Sequence, residues 1–360
     1  MKKHLHIIRL LSCAVLCLSA STINAQYATD YVPGVSSEGA VYFLPKTAVD
    51  VTFTITKVTY TPGDLCKYAD RYMHLSNVSD KEDVHFELTS VTLSYAPLAD
   101  ESKCYRIPFN TKSVAPNVML SSEGTLLAIN TDNPYLEEVA LPEETKTENA
   151  IDTRTYMTED MLMAGSKAKL AELAAGQIYE IRESRNALMK GESEYMPSDG
   201  AGLKIMTENL NLQEKALLQL FEGVTEREVF NKTVRIVPDD NISKKIIARF
   251  SHKLGLVDSD DLAGSPIFLD VKCQKEIPLR INPTEQATRA RARRYEGLLY
   301  NLPAKTDMKV YSSNRTYIES TTSLPQFGET EILSSRLFRK QNNTKVILDP
   351  INGALLKVEE

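Results

Sequence analysis

The sequence contains no tryptophan, and histidine and cysteine are scarce, at five residues each among 360. Beyond residue 25, the three histidines that remain do not have the spacing of paired metal ligands. The three remaining cysteines are also far apart in the chain. These absences argue against a structural zinc site, and we expect no bound metal ion.

Motifs of the common enzyme and nucleotide-binding classes are missing as well. The chain has no Gly-x-Gly-x-x-Gly, no phosphate-binding loop, no Gly-x-Ser-x-Gly and no His-Glu-x-x-His. The nearest approach to a nucleophile elbow, residues 34–39, has the wrong spacing. The sequence therefore predicts no cofactor and identifies no catalytic residue.

A long apolar run occurs once, at the start of the chain. Met1–Ala25 has a basic beginning and an apolar stretch at residues 10–20, and a small residue precedes Gln26. This pattern is typical of a signal peptide and is too short for a membrane span. Lipidation at Cys13 is the alternative, but it would leave apolar residues 14–18 on the mature protein. We expect cleavage before Gln26 and an exported protein, periplasmic or extracellular.

The charge balance is acidic, with 42 Lys and Arg residues against 48 Asp and Glu residues. Residues 1–25 contain three basic residues and no acidic residue, so without them the formal net charge changes from −6 to −9. A nucleic-acid binder needs a basic surface that neutralises phosphates. The composition therefore argues against a nucleic-acid partner.

Two long amphipathic helices are predicted at residues 158–223. The first, Thr158–Lys190, repeats apolar residues at steps of three and four, and the second runs from a cap at Ser198 or Asp199 to Gly223. The short connection at residues 191–197 predicts an antiparallel hairpin. Gly176 lowers the stability of the first helix, which suggests that another element approaches closely there.

These helices also carry a family resemblance. The segments AKLAELAAGQIYEIRESRNALMKGESEYMPSDG and LKIMTENLNLQEKALLQLFEG, with AVYFLPKTAVDVTFTITKVTYTPGDLCKYADRYM nearer the start, resemble an uncharacterised secreted family from Bacteroidota, domain of unknown function 4831. The resemblance implies no known activity, cofactor or catalytic residue. Cys66 and Gly176 differ from the residues expected in that family.

Strand patterns lie on both sides of the helices. Val49, Val51, Phe53 and Ile55 alternate with polar residues, which predicts a half-buried strand with a bulge near Lys57. We assign residues 26–130 to an N-terminal antiparallel β domain and residues 224–360 to a C-terminal one. The acidic segment 131–157 is predicted to be a solvated linker.

Two motifs repeat in the same order in both halves. Gly-Ala-Val-Tyr-Phe-Leu-Pro at residues 39–45 matches Gly-Leu-Leu-Tyr-Asn-Leu-Pro at 297–303, and the Gly-x-Leu-Leu strand after Gly124 matches the one after Gly353. The predicted fold is therefore α+β, with two related antiparallel β units separated by a long antiparallel helical hairpin.

Three groups of charged residues are candidates for a ligand or interface site. Arg182 and Arg185, with Glu183, share a helix face and can bind a carboxylate, or they hold the hairpin in place through ion pairs. Glu192 and Glu194 lie in the loop between the helices and are either solvated or half of a catalytic carboxylate pair.

The third group is a basic run that contains Arg291 and Arg293. Its alternate arginines form a protected strand edge or a patch for an anionic partner. In an oxidising compartment, Cys66 and Cys104 can form a disulfide. The odd number of cysteines instead favours three free thiols.

The missing motifs and the repeat favour a non-enzymatic module that binds a protein or a glycan at the cell envelope. The alternative is an envelope hydrolase that acts on carbohydrate. Such an enzyme needs a cleft with two carboxylates roughly 5 to 9.5 Å apart, which makes the surroundings of the acidic residues decisive.

Overall fold

The computed structural model describes residues 29–30, 39–108, 117–136, 151–193, 199–274, 297–334, 337 and 344–359. Over these residues the chain forms mixed, mostly antiparallel sheets with a few helices. The strands are β1 (Thr29–Asp30), β2 (Gly39–Thr61), β3 (Asp83–Pro108), β4 (Val118–Leu120), β5 (Leu126–Ile129), β6 (Val224–Ile236), β7 (Ile242–Ser251), β8 (Gly255–Val257), β9 (Ser265–Cys273), β10 (Gly297–Ser312), β11 (Thr316–Ser334), β12 (Lys345–Leu348) and β13 (Leu355–Glu359). The helices are α1 (Ala69–Met73), α2 (Glu159–Leu162), α3 (Lys167–Lys190) and α4 (Gly200–Glu222), with 3₁₀ turns at Cys66–Tyr68 and Thr153–Tyr156.

Three sheets are built from these strands. Their strand orders are β1-β3-β2-β6, β11-β10-β9-β7-β8 and β13-β12-β5-β4. β6 follows the helices in sequence but pairs along β2, and β12 pairs with β5. Strands from both sides of the predicted boundaries at residues 130 and 224 therefore share two of the three sheets.

The long strand β2 has the buried face that its sequence alternation predicts. Val49, Val51, Phe53 and Ile55 are fully buried and belong to the largest hydrophobic core. The register of β2 against β3 shifts between Thr54 and Ile55, slightly before the predicted position. The hydrophobic alternation thus sets which face of β2 is buried, because each side chain of a strand points opposite to the next.

The two sequence motifs that repeat also repeat their backbone pairing. Phe43 forms an isolated parallel bridge to Thr125, and Asn301, at the matching motif position, forms one to Ala354. In each case the preceding glycine carbonyl accepts the strand's N–H, at 2.9 Å in the first half and 3.2 Å in the second. Gly124 and Gly353 have φ values of 79° and 71°, a left-handed conformation that favours glycine.

The ends of the helices follow local capping chemistry. Thr158 caps α2 through the Met161 N–H, but α2 is short, and α3 begins anew where the Ser166 side chain accepts from the Lys169 N–H. The prediction of a single helix from Thr158 to Lys190 is therefore wrong. Ser166 takes an extended conformation and caps the start of a second helix. Asp199 caps α4, as the sequence predicts.

The carboxyl end of α4 rests directly on the end of β2. The Leu65 N–H donates to the Leu220 carbonyl at 2.7 Å, and the Tyr60 hydroxyl donates to the Glu222 carbonyl at 3.0 Å. A Cβ built on Gly63 would lie 2.3 Å from the Leu220 carbonyl oxygen. The missing side chain at Gly63 therefore allows this close contact between strand and helix.

The described part of the predicted linker is not solvated throughout. Asn133 is buried, and its side-chain amide donates to the Leu127 and Leu348 carbonyls at 3.0 and 2.8 Å. Asn133 therefore links backbone acceptors on the two neighbouring strands β5 and β12. Residues 137–150 of the linker, and the predicted signal peptide, lie outside the described residues. Among the described helices, none is long and apolar enough to cross a membrane.

The close approach predicted at Gly176 is absent. Gly176 is exposed, and a Cβ placed on it would meet no atom within 4 Å. The small residues Ala171, Ala174 and Ala175 are the ones that pack into the core, on the other side of α3. Gly176 therefore lowers the stability of α3, as a glycine does in a helix interior, and no packing contact explains its presence.

We expect Gly176→Ala to stabilise the protein by about 1 kcal/mol, because alanine restricts the unfolded chain and fits the open helix surface. Equilibrium unfolding in guanidinium chloride measures this difference in the free energy of unfolding. A lower stability of the variant would contradict the open surroundings of Gly176.

Candidate functional site

The predicted arginine pair on α3 meets one carboxylate on α4. The Arg182 Nε donates to Glu214 Oε1 at 2.6 Å, and an Arg185 terminal nitrogen donates to Glu214 Oε2. The same Arg185 nitrogen also donates to Asn211 Oδ1 at 2.9 Å. Glu183, the third predicted residue of this group, is exposed. The arginines therefore join the two helices.

The surroundings of Glu214 hold it in the ionised form. Its side chain is only 10% exposed, and this burial opposes ionisation. The hydrogen bonds and charges of Arg182 and Arg185 together outweigh the burial, so the pKa of Glu214 is lowered. An ionised carboxylate accepts hydrogen bonds from both arginines but has no proton to donate.

Glu214 was absent from the residues predicted for this site, although the sequence contains a signal for it. It lies four residues after Leu210 and three before Leu217, on the apolar stripe that predicts the buried face of α4. A buried acid on such a stripe needs a cationic partner, and two arginines were available.

A cleft of about 790 Å³ adjoins this cluster, between α4, Ile151 and the start of β6. Its carboxylates are Glu214, Glu222 and Glu226, beside Lys215 and the apolar side chains of Leu212 and Leu218. Grouped metal ligands are absent from the described part of the chain. The cleft offers carboxylates, the Lys215 ammonium group and apolar side chains for contact.

Carboxylates that could act as a general acid require a raised pKa. Within the described ranges, every carboxyl group whose pKa is shifted has it lowered; these groups are Asp83, Glu214, Asp307 and Glu359. In Asp83 and Asp307 the main cause is a hydrogen bond, from Lys253 and Thr321 respectively. None of these four groups is suited to protonate a leaving group.

Comparison with known proteins gives one decisive match. The model of the family described as Domain of unknown function (DUF4831) matches residues 38–356. The chain belongs to the DUF4831 family. No curated protein and no solved structure matches the chain. The matched residues include the arginine–glutamate cluster and the cleft. Membership of this family assigns no activity to either.

Glu192, the described residue of the second candidate group of this DUF4831 protein, lies at the far end of the two helices, where α3 ends and α4 begins. A groove of about 530 Å³ is lined by Leu188, Glu192, Met206 and Leu210, with neighbouring small and polar residues. Glu192 is exposed, whereas Glu194 lies outside the described residues. The geometry of a Glu192–Glu194 carboxylate pair therefore stays a prediction.

Exposed apolar side chains occur in this part of the two helices: Met206 lines the groove, whereas Met189 and Ile205 are sequence neighbours of its lining residues Leu188 and Met206. Met189 is 69% exposed, Ile205 59% and Met206 38%. Isolated exposed apolar residues are common on protein surfaces, but neighbouring ones next to a groove are typical of contact surfaces. This end of the two helices is therefore a candidate interface.

The other predictions about sites have different outcomes. Arg291 and Arg293 lie outside the described residues, so the basic run stays a prediction. Cys66, Cys104 and Cys273 are free thiols, as the odd number of cysteines favours, and the alternative Cys66–Cys104 disulfide is not formed. Cys66 follows the end of β2, whereas Cys104 pairs with Phe43 near its beginning. The length of β2, tens of ångströms, separates them, and a disulfide needs Cα atoms within about 7 Å.

Proposed function

We propose that this DUF4831 protein is an exported binding or structural module of the cell envelope that contacts a protein or a glycan and does not catalyse a reaction. The pairing of Glu214 with Arg182 and Arg185 carries this proposal. In this pairing the buried carboxylate of Glu214 joins the two helices, and the two arginines keep it ionised. These are properties of a scaffold rather than of a proton donor.

In this proposal α3 and α4 form one antiparallel helical hairpin. The partner would bind at its far end, where α3 ends and α4 begins. Arg182 contacts Glu214 and Arg185 contacts Asn211, so later residues of α3 meet earlier residues of α4. Leu188 and Met206 continue the same order along the groove. The two related β units would then serve as the base of the hairpin.

The far end of the hairpin supports a binding role through its surface chemistry. Met189 and Ile205 are more than half exposed, and each is the sequence neighbour of a residue that lines the groove, Leu188 and Met206 respectively. Methionine adapts its shape to a partner, and desolvation of apolar side chains favours association. Export is supported by residues 1–25, whose charge and apolar pattern is that of a signal peptide.

The test measures binding and turnover of the same purified chain. We expect it to retain envelope components without releasing soluble sugars from any envelope polysaccharide. A photo-reactive residue at Met189 should cross-link to an envelope component in living cells. A photo-reactive residue at Leu262, which is 83% exposed and lies away from the helices, is the matched control.

Two results would overturn the proposal. One is release of sugars that Glu214→Gln or Glu222→Gln abolishes while the variant stays folded. The other is equal cross-linking from positions 189 and 262, which would show that the end of the helices has no preferred contact.

A further inference from the structure

The exposed position of Gly176 leaves a bare strip on the outer surface of α3. Glycine is the least favourable residue in a helix interior apart from proline. Packing does not explain it, since a Cβ there would meet no atom within 4 Å. A helix surface without a side chain at this point gives a ligand direct access to the backbone.

The next residue on the same face is an aromatic ring held in a fixed orientation. Tyr179 lies three residues after Gly176 and is 40% exposed. Its hydroxyl donates to the Tyr72 carbonyl on α1 at 3.1 Å, which restrains the ring. Tyr179 therefore presents a rigid apolar surface at the edge of the bare strip.

A cation lies over this ring in a cation–π contact. The Arg182 guanidinium carbon is 5.6 Å from the centroid of the Tyr179 ring. In the described part of the chain, Arg182 uses Nε to bond Glu214, and its side chain is 34% exposed. Its terminal nitrogens therefore remain available to a ligand carboxylate, the group that a guanidinium binds best.

The remaining charges around the ring are mixed. Arg71 stacks on the Tyr72 ring at 5.4 Å, while Glu180 and Glu183 are exposed on α3 near Tyr179. The carboxylates disfavour a densely charged polyanion by like-charge repulsion. They are also good acceptors for hydroxyl groups, so the surroundings suit a ligand with one acid and several hydroxyls.

We propose that Gly176, Tyr179 and Arg182 form a shallow site for a saccharide ring that carries a carboxylate. This inference rests on the proposed binding function and names its ligand class. The apolar C–H face of the sugar would pack against the exposed part of the Tyr179 ring that the Arg182 guanidinium leaves uncovered, and its edge would lie over Gly176. The sugar carboxylate would pair with the terminal nitrogens of Arg182, and Glu183 would accept from a hydroxyl.

A sugar fits this surface better than a protein segment does. Protein interfaces place their energy in apolar anchors that enter pockets, as at the groove near Met189. The Tyr179 surface instead combines one ring, a bare backbone strip and charged groups of both signs. That combination matches the alternating apolar face and polar rim of a pyranose.

The experiment applies the purified chain to an array of glycans that contain glucuronic, galacturonic, mannuronic or sialic acid, each beside its neutral counterpart. We expect binding to at least one carboxylated class and at least tenfold weaker binding to its neutral counterpart. Tyr179→Ala should weaken that binding at least tenfold. Tyr135→Ala, a change of another exposed tyrosine, is the matched control and should leave it unchanged.

Gly176→Leu gives the sharpest result, because leucine is a good helix former and the position is open. We expect this variant to be at least as stable as the wild type and to lose glycan binding at least tenfold. No binding to any carboxylated glycan, or binding that Tyr179→Ala and Gly176→Leu leave intact, would overturn this site. If cross-linking from position 189 persists in that case, the proposed function stands without it.

Discussion

Gly63→Ala is expected to destabilise the protein by about 3 kcal/mol or more, although it adds a single methyl group. The new Cβ would lie 2.3 Å from the Leu220 carbonyl oxygen and 2.5 Å from that of Gln219. Both are backbone atoms near the end of α4, so the helix must move away. That movement breaks the hydrogen bond from the Leu65 N–H to the Leu220 carbonyl.

Gly176→Ala is the matched control for this experiment, since the same chemical change is made where a Cβ meets nothing within 4 Å. Unfolding in guanidinium chloride, followed by circular dichroism, should show opposite signs for the two variants. Equal effects would mean that the contact between Gly63 and α4 does not stabilise the fold.

Glu214→Gln is expected to lower the free energy of unfolding by about 2 kcal/mol. Removing one partner from a buried ion pair typically costs about 3 to 5 kcal/mol, and the partial exposure of both arginines reduces that. The side chains of Arg182 and Arg185 are 34% and 29% exposed. The amide has no charge and can accept from the arginines only through its one oxygen.

Glu208→Gln provides the control on the same helix. Glu208 is exposed and pairs with Lys204 at 3.8 Å, so its loss should change stability by less than about 0.5 kcal/mol. A double-mutant cycle with Arg185→Gln isolates the coupling energy of the pair. Similar costs for Glu208→Gln and Glu214→Gln would show that the buried pair is not stabilising.

The effect of Glu214→Gln also depends on pH. Because the pKa of Glu214 is lowered in the folded state, its contribution is complete above the unfolded pKa of about 4.3. It is lost as the pH falls through the lower folded value. The stability difference between wild type and variant should therefore narrow as the pH falls from 7 toward 2. A constant difference would contradict the lowered pKa.

Local features of this protein were readable where neighbouring residues decide the structure. The alternation at Val49, Val51 and Phe53 predicts the buried face of β2, because side chains of a strand point to opposite sides in turn. Asp199 could be recognised as the cap of α4, because its side chain bonds an amide three residues later.

Two other predictions from local sequence, one about the first helix and one about Gly176, were wrong. The cap at Thr158 predicts one helix from there to Lys190, although the regular apolar steps begin only at Leu170. Ser166 instead takes an extended conformation and caps a new one. Gly176 likewise suggested a packed neighbour, although propensity says nothing about what lies outside the helix.

The sequence by itself determined the acidic composition, the buried face of β2, the end of α3, both ends of α4 and the repeated motifs, since each depends on residues close together in the chain. Only the tertiary structure decided that β6 joins β2, that Arg235 forms two hydrogen bonds with Asp50, and that Glu214 receives both arginines. Asp50 and Arg235 are 185 residues apart, and Arg182 and Glu214 are 32 apart. The physical reason is that such pairs form only when strand pairing and helix packing bring distant segments of the chain together, and local periodicity contains no information about that packing.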